Sequence, residues 1–268
     1  MTAIIQIGRK QMILSCCAWA LNDPEPEAMS LLKDKGLSAI DIRPSWLRSN
    51  ETLQKREELD LDVICLAATH ERPEGATLDS DNPRSVEPMV HHIKEGLDHA
   101  ARQGAHWSYV VPDRLVDDQT FERYATHLTD IADHAQELDI KVCIEHFPGT
   151  AFPTVSSTMD FIRDIGHPNL YLLFDIGHAQ MSNEDPTEVL SNVGDRLGYV
   201  HLDDNDGVND LHLALIDGVQ TIDSLVGLLQ ILDDISYDDP ISLEIKNDLP
   251  NPLDSLTRSY EIITDLLG

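Results

Sequence analysis

Eight short apolar runs recur along the 268 residues, separated by longer segments of a different periodicity. The runs are MILSCCAW, LSAIDIR, LDVICLAAT, HWSYVVP, IKVCIEHF, LYLLFDIG, LGYVHLDD and PISLEIKN. They are rich in Val, Ile, Leu and Tyr and nearly continuous in hydrophobicity, as parallel strands buried on both faces are. Between them, segments such as PEPEAMSLLKDKG, SVEPMVHHIKEGLDHAARQG, DQTFERYATHLTDIADHAQELD, TVSSTMDFIRDIG and TIDSLVGLLQILDD have helical periodicity. Gly36 and Gly104 fall just past two of these segments, where a left-handed residue ends a helix. Strands alternating with helices eight times in ~250 residues predict an α/β fold, a single (β/α)8 TIM barrel. An open doubly wound sheet is the competing architecture, but no G-x-G-x-x-G follows the first strand. No low-complexity linker or sharp change of composition divides the chain, so residues 1–268 are expected to form one domain.

Charge excludes some functions. Asp and Glu total 48 against 19 Lys and Arg, a net charge of −29. A surface this acidic repels nucleic acid and anionic membranes, whose binding depends on basic patches. Two origins stay open: adaptation to a salt-rich cytoplasm, where screening relieves self-repulsion, and ordinary acidic solubility. No apolar run approaches the roughly 18 residues of a membrane span. The opening MTAIIQIGRKQMILSCCAWA weakly imitates a signal peptide, but nothing linker-like follows, so it reads as a buried first strand of a cytoplasmic protein. Cys16, Cys17, Cys65 and Cys143 show no C-x-x-C spacing and read as free buried thiols.

The chemistry gathers where the later strands end. Glu145 closes the fifth apolar run, Asp175 the sixth, His201 the seventh and Glu244 the eighth. In a barrel those four carboxyl ends are neighbours on the catalytic face. Any one such acid, taken alone, is more often an N-cap for the next helix than a ligand. Four polar residues on four consecutive strands call for another explanation. Three buried carboxylates repel one another, and a divalent cation resolves that conflict. Three oxygens and one imidazole suit Mn²⁺, Mg²⁺, Co²⁺ or Zn²⁺ alike. His91, His92, His99, His127 and His134 lie in helical segments and read as surface or groove residues. Trp19, Trp46 and Trp107 read as core or rim packing rather than as a platform for a substrate ring.

The segments IEHFPG, LLFDIGHAQM, VHLDDNDGVNDLHL and ISLEIKN resemble the xylose-isomerase-like TIM-barrel superfamily, most specifically between residues 140 and 246. That superfamily spans sugar and sugar-phosphate isomerases, ketose 3-epimerases, inosose dehydratases and an apurinic endonuclease branch. The resemblance implies one divalent metal ion held by Glu145, Asp175, His201 and Glu244, with Glu145 and Glu244 also the catalytic acid/base pair. It implies an isomerase or epimerase moving a proton through an enediolate on a small sugar, sugar phosphate or polyol. An inosose-type dehydratase is the alternative, and a phosphodiesterase or a non-catalytic metal-binding barrel are further ones. His178 matches a substrate-contacting residue of the isomerases and a further metal ligand of the endonucleases. Asp210 and His212 match the D-x-H pair of that branch. His70, Arg43 and Lys246, with Arg114, stand near strand ends and complete the expected substrate contacts. Asp203, Asp204 and Asp206 read as loop acids without function. Two departures matter. LALIDG replaces the common PLGEG after the D-x-H pair, and the fourth strand carries His106 at its start rather than a histidine at its end. The second departure argues against a three-metal phosphodiesterase site. The expected partner is a small carbohydrate, with no nucleic acid or membrane, and a homo-oligomer remains open.

Overall fold

In the computed structural model, which describes residues 12–114 and 119–268, each apolar run supplies a strand. These are β1 (Leu14–Cys16), β2 (Ala39–Ile42), β3 (Asp62–Ala67), β4 (Trp107–Val110), β5 (Lys141–Glu145), β6 (Leu170–Asp175), β7 (Leu197–Leu202) and β8 (Ile241–Leu243). The opening MTAIIQIGRK lies outside the described residues. All pairings are parallel, in the order β1-β8-β7-β6-β5-β4-β3-β2. A parallel bridge from Cys17 to Asp41, just past β1, brings the two ends of the sheet together. The result is a nearly closed TIM barrel, as the alternation of runs required.

The intervening segments form helices whose ends are chemically marked. They are α1 (Glu25–Asp34), α2 (Asn50–Leu59), α3 (Pro83–Gln103), α4 (Thr120–Glu137), α5 (Val155–Ile165), the short α6 (Ile176–Met181) and α7 (Pro186–Leu190), then α8 (Ile222–Asp234) and α9 (Pro252–Leu267). Capping boxes open α2, α5 and α8, at Ser49 with Thr52, Thr154 with Ser157, and Thr221 with Ser224. Gly104 follows α3 at φ 84°, and Gly36 follows α1 at φ 92°. Both conformations are left-handed, which glycine adopts without a Cβ penalty.

Strand alternation then divides the side chains into two buried layers. One set packs outward against the helices, where Ile40, Leu66, Val142, Leu172 and Val200 meet Leu97, Leu128, Ile162 and Leu229. The other fills the barrel interior with Cys17, Cys65, Tyr109, Cys143, Leu173 and Tyr199. All four cysteines are free and buried, as expected. Trp46 belongs to the outer core, Trp19 is buried near the mouth, and Trp107 starts β4 beside Lys141 at the opposite end. His99 departs from its expectation as a surface or groove residue. It is buried in α3, where its Nε2 meets the Trp46 carbonyl at 2.8 Å. No helix of the described residues is long and apolar enough to cross a membrane.

Candidate active site

Parallel pairing sets four polar side chains side by side. Asp175 and His201 are register partners on β6 and β7, and His201 pairs in turn with Ser242 on β8, two residues before Glu244. Glu145 ends β5. One ligand atom from each of Glu145, Asp175, His201 and Glu244 lies within 4.8 Å of the others. His201 Nδ1 stands 2.7 Å from Glu244 Oε2, 3.7 Å from Glu145 Oε1 and 3.8 Å from Asp175 Oδ2. Ligands on opposite sides of one ion, each bonded at about 2.0–2.3 Å, span about 4–4.6 Å, so the set has the right size.

The donor atoms also lack other occupations. Asp175 caps α6 through Oδ1, which accepts the His178 N–H at 2.9 Å, as a strand-end aspartate does. Its Oδ2 is buried without a hydrogen-bond partner, and so are both ring nitrogens of His201. Buried polar atoms without partners are costly, and these converge on one point. The residues fit a divalent cation. Their electrostatics are uneven. Burial pushes the Glu145 carboxyl up. Burial would raise Glu244 too, but the imidazoles of His201 and His212 outweigh it and hold that carboxyl below the ordinary range.

A second cluster stands beside the first. His178 points Nδ1 at the His146 carbonyl (2.9 Å) and stacks on Phe147, with ring centroids 4.2 Å apart. Its Nε2 faces Asp210 at 3.4 Å. His212 joins Asp210 through Nε2 (3.0 Å) and Asp203 through Nδ1 (2.9 Å). Although its burial opposes the charge, Asp175 and Asp210 favour the protonated ring of His178 and raise its pKa to about 10. The structure therefore brings together His178, Asp210 and His212, on ligand atoms close enough to hold an ion of their own.

Two of the expected loop acids are instead buried structural acids. Asp203 accepts the Gly177 N–H at 3.0 Å, and burial, with Asp175 nearby, raises its pKa to about 7. Asp204 collects the backbone N–H groups of Asn205, Gly218, Val219 and Gln220 at 2.7–3.1 Å. A carboxylate can take several N–H bonds at once, so this one residue holds the LALIDG loop in shape. Asp206 is exposed and accepts from Val208 and Asn209, as a loop acid does. His146 had no assigned role. It is wholly buried and its Nε2 accepts the Asp175 N–H at 3.1 Å, which steadies a ligand from behind. Its place directly after a strand-end glutamate was the available signal.

The remaining expected contacts ring the mouth. His70 lies three residues past β3, 5.3 Å from the Trp19 ring and 6.1 Å from Tyr109. Burial lowers its pKa to about 4, so it is a neutral imidazole. The Arg43 guanidinium sits 5.0 Å over Trp19, and its Nε is buried without a partner. Lys246 donates its backbone N–H to the His212 carbonyl at 3.0 Å. Arg114 is exposed beyond β4, while Arg72 pairs with Asp113 beside His70 along a cleft lined by Thr69, Val111 and Pro112. His106 stands exposed at the start of β4, away from the site.

Barrel and strand-end constellation together define a TIM barrel with a carboxylate–imidazole cluster of a size to hold a cation. The family model described as xylose isomerase-like TIM barrel matches residues 29–265, and the chain belongs to that family. A protein of Methanocaldococcus jannaschii of uncharacterised role is 32% identical over 166 residues, 60% of this chain and 52% of that one. This chain thus spans about half the length of that relative. An inosose dehydratase of Clostridium beijerinckii is 22% identical over 261 residues, covering 91% of this chain and 83% of that one. Among solved structures, a D-tagatose 3-epimerase-like protein superposes with a TM-score of 0.81 at 23% identity, covering 96% of this chain and 97% of that one. A D-allulose 3-epimerase from Methylomonas sp. gives 0.78 at 16% identity, covering 95% and 97%. At these identities the likeness is one of fold.

Proposed function

We propose that the protein is a divalent-metal-dependent isomerase or epimerase that moves a proton on a small sugar, sugar phosphate or related polyol. The observation that carries this reading is the pair of glutamates. Glu145 and Glu244 face one centre on oxygens within 4.8 Å, with their proton affinities pushed in opposite directions. Two carboxyls separated in this way are suited to take and return a proton. Glu145 and Glu244 remove the proton and return it, from opposite sides of the substrate carbon. Glu145, Asp175, His201 and Glu244 hold the ion, which is Mn²⁺, Mg²⁺, Co²⁺ or Zn²⁺. When bound, it supplies Lewis-acid polarisation of a carbonyl and its neighbouring hydroxyl. His178, fixed through Nδ1 and stacked on Phe147, orients a substrate hydroxyl, with Asp210 and His212 behind it. His70, Arg43 and Lys246 supply further substrate contacts. The reading takes the chain as one catalytic domain that works in the cytoplasm and binds neither nucleic acid nor membrane.

A second reading has a specific observation behind it. Several curated relatives are named inosose dehydratase, at 22–33% identity. Dehydration also begins with loss of a proton next to a carbonyl, so the same two glutamates would serve. Proton NMR of ketoses and inososes in D₂O with the metal-loaded protein separates the readings. Deuterium entering the carbon next to the carbonyl, with a new epimer or aldose, supports the isomerase or epimerase. A dehydrated product from an inosose supports the lyase. Full metal loading with no exchange and no product across the panel contradicts both.

A further inference from the structure

The barrel interior holds a carboxylate that the reaction described above does not use. Asp41, on β2, is wholly buried among apolar and thiol groups. Its Oδ1 accepts the Ser15 hydroxyl at 2.7 Å and the Tyr199 hydroxyl at 2.8 Å, and its Oδ2 meets the Cys17 thiol at 4.0 Å. Ser242 adds a third hydroxyl beside it. Three strands, β1, β7 and β8, thus contribute hydroxyls that hold one acid of β2 in place, inside a barrel where a leucine would pack without cost in desolvation. An oxygen of Asp41 and the Cys17 sulfur lie within 4.8 Å of a ring nitrogen of His201.

His201 is the group that gives this acid a purpose. Its Nδ1 faces the three carboxylates of the cation site, and its Nε2 is buried without a hydrogen-bond partner. We propose that Asp41 is a positioning residue, which holds His201 as the Nε2–H tautomer so that Nδ1 keeps its lone pair for the cation. This inference rests on the metal reading. The span is longer than a hydrogen bond, and the coupling is electrostatic: a carboxylate favours an N–H dipole turned toward it over a lone pair. A histidine that binds a metal through one nitrogen commonly directs the other N–H at a carboxylate, which fixes the ring and strengthens it as a ligand. The competing neighbours are weaker. The Cys17 thiol is a weak hydrogen-bond partner and already meets Asp41, and the Tyr109 ring stands at 88° to the His201 ring with centroids 5.1 Å apart.

Two measurements test this. In wild-type protein loaded with Zn²⁺, two-bond ¹H–¹⁵N NMR should report His201 protonated at Nε2. A ring protonated at Nδ1 overturns the inference and needs no variant to do so. Titration with Mn²⁺ should show Asp41→Asn binding about 10–100-fold more weakly than wild type, the scale of losing a ligand's supporting carboxylate. Tyr199→Phe, which removes one donor to Asp41 and keeps the ring, should weaken Mn²⁺ binding by a smaller factor. Wild-type affinity in folded Asp41→Asn overturns the inference alone. Wild-type protein that takes up no Mn²⁺ overturns the metal reading and this inference together.

Discussion

Glu145 and Glu244 are chemically alike and differ only in what surrounds them. Burial raises one, and two imidazoles lower the other. Glu244→Gln keeps an oxygen for the cation but cannot accept a proton, so turnover should fall at least ~10²-fold with substrate binding largely retained. Glu145→Gln should cause the matching loss for the opposite substrate epimer. Steady-state kinetics on both variants, with metal content checked, would show it; wild-type turnover in both fully loaded variants sinks the acid/base assignment. At this scale the sequence was informative only where polarity broke an apolar run at a strand end. Glu145, Asp175, His201 and Glu244 stand out against IKVCI, LYLLF, LGYV and PISL. Asp203 does not, because HLDDND offers adjacent acids and only the strand register decides which turns inward. Asp41 is hidden for a related reason: within LSAIDIR a lone acid does not declare which face of the strand it occupies.

The elements deliver these residues through two close approaches between loops. Gly177 opens α6 against the acids that follow β7, and its N–H donates to Asp203. A Cβ there would collide with the Asp203 carboxylate and the Asn205 amide. This gives the D-x-G-H element its physical meaning, with the aspartate a helix cap, the glycine a contact point and the histidine a ring held by the His146 carbonyl and Phe147. Asn205 then accepts the N–H groups of Leu211 and His212 at 2.6 and 3.0 Å, which sets His212 at φ 41°. Gly177→Ala should therefore cost about 1–3 kcal/mol, the usual scale of overpacking, and loosen Asp203 from His212. Chemical denaturation and Mn²⁺ titration of the variant measure both effects, and unchanged values for both would contradict this account of the loop. The strands and the longer helices were legible, because helical periodicity, C-terminal glycines and continuous apolar runs agree with one another. LALIDG was not, since its shape depends on Asp204 reaching ahead to Gly218, Val219 and Gln220.

For the whole molecule, the barrel was the easiest feature to read and the surface charge the hardest to explain. A net charge of −29 spread over one barrel leaves many acids without a base. Several of the few bases are already engaged, as where Arg258 pairs with Asp217 and Asp254, and Lys94 with Asp130. Self-repulsion should then weaken the fold in dilute buffer, and salt should relieve it until the Debye length falls to about 3 Å near 1 M. Thermal melts in rising KCl should move upward over that range; a flat or falling midpoint would return the charge to ordinary solubility. Inside the same molecule, Glu145, Asp175 and Glu244 converge on His201 at the mouth of the barrel, and the account depends on one cation holding them together. Elemental analysis of protein purified without chelator tests that most directly. It should find one divalent ion per chain in the wild type and none in the Glu145→Gln, Asp175→Asn double variant. An empty wild type, or a double variant that keeps a full equivalent of metal, would contradict it.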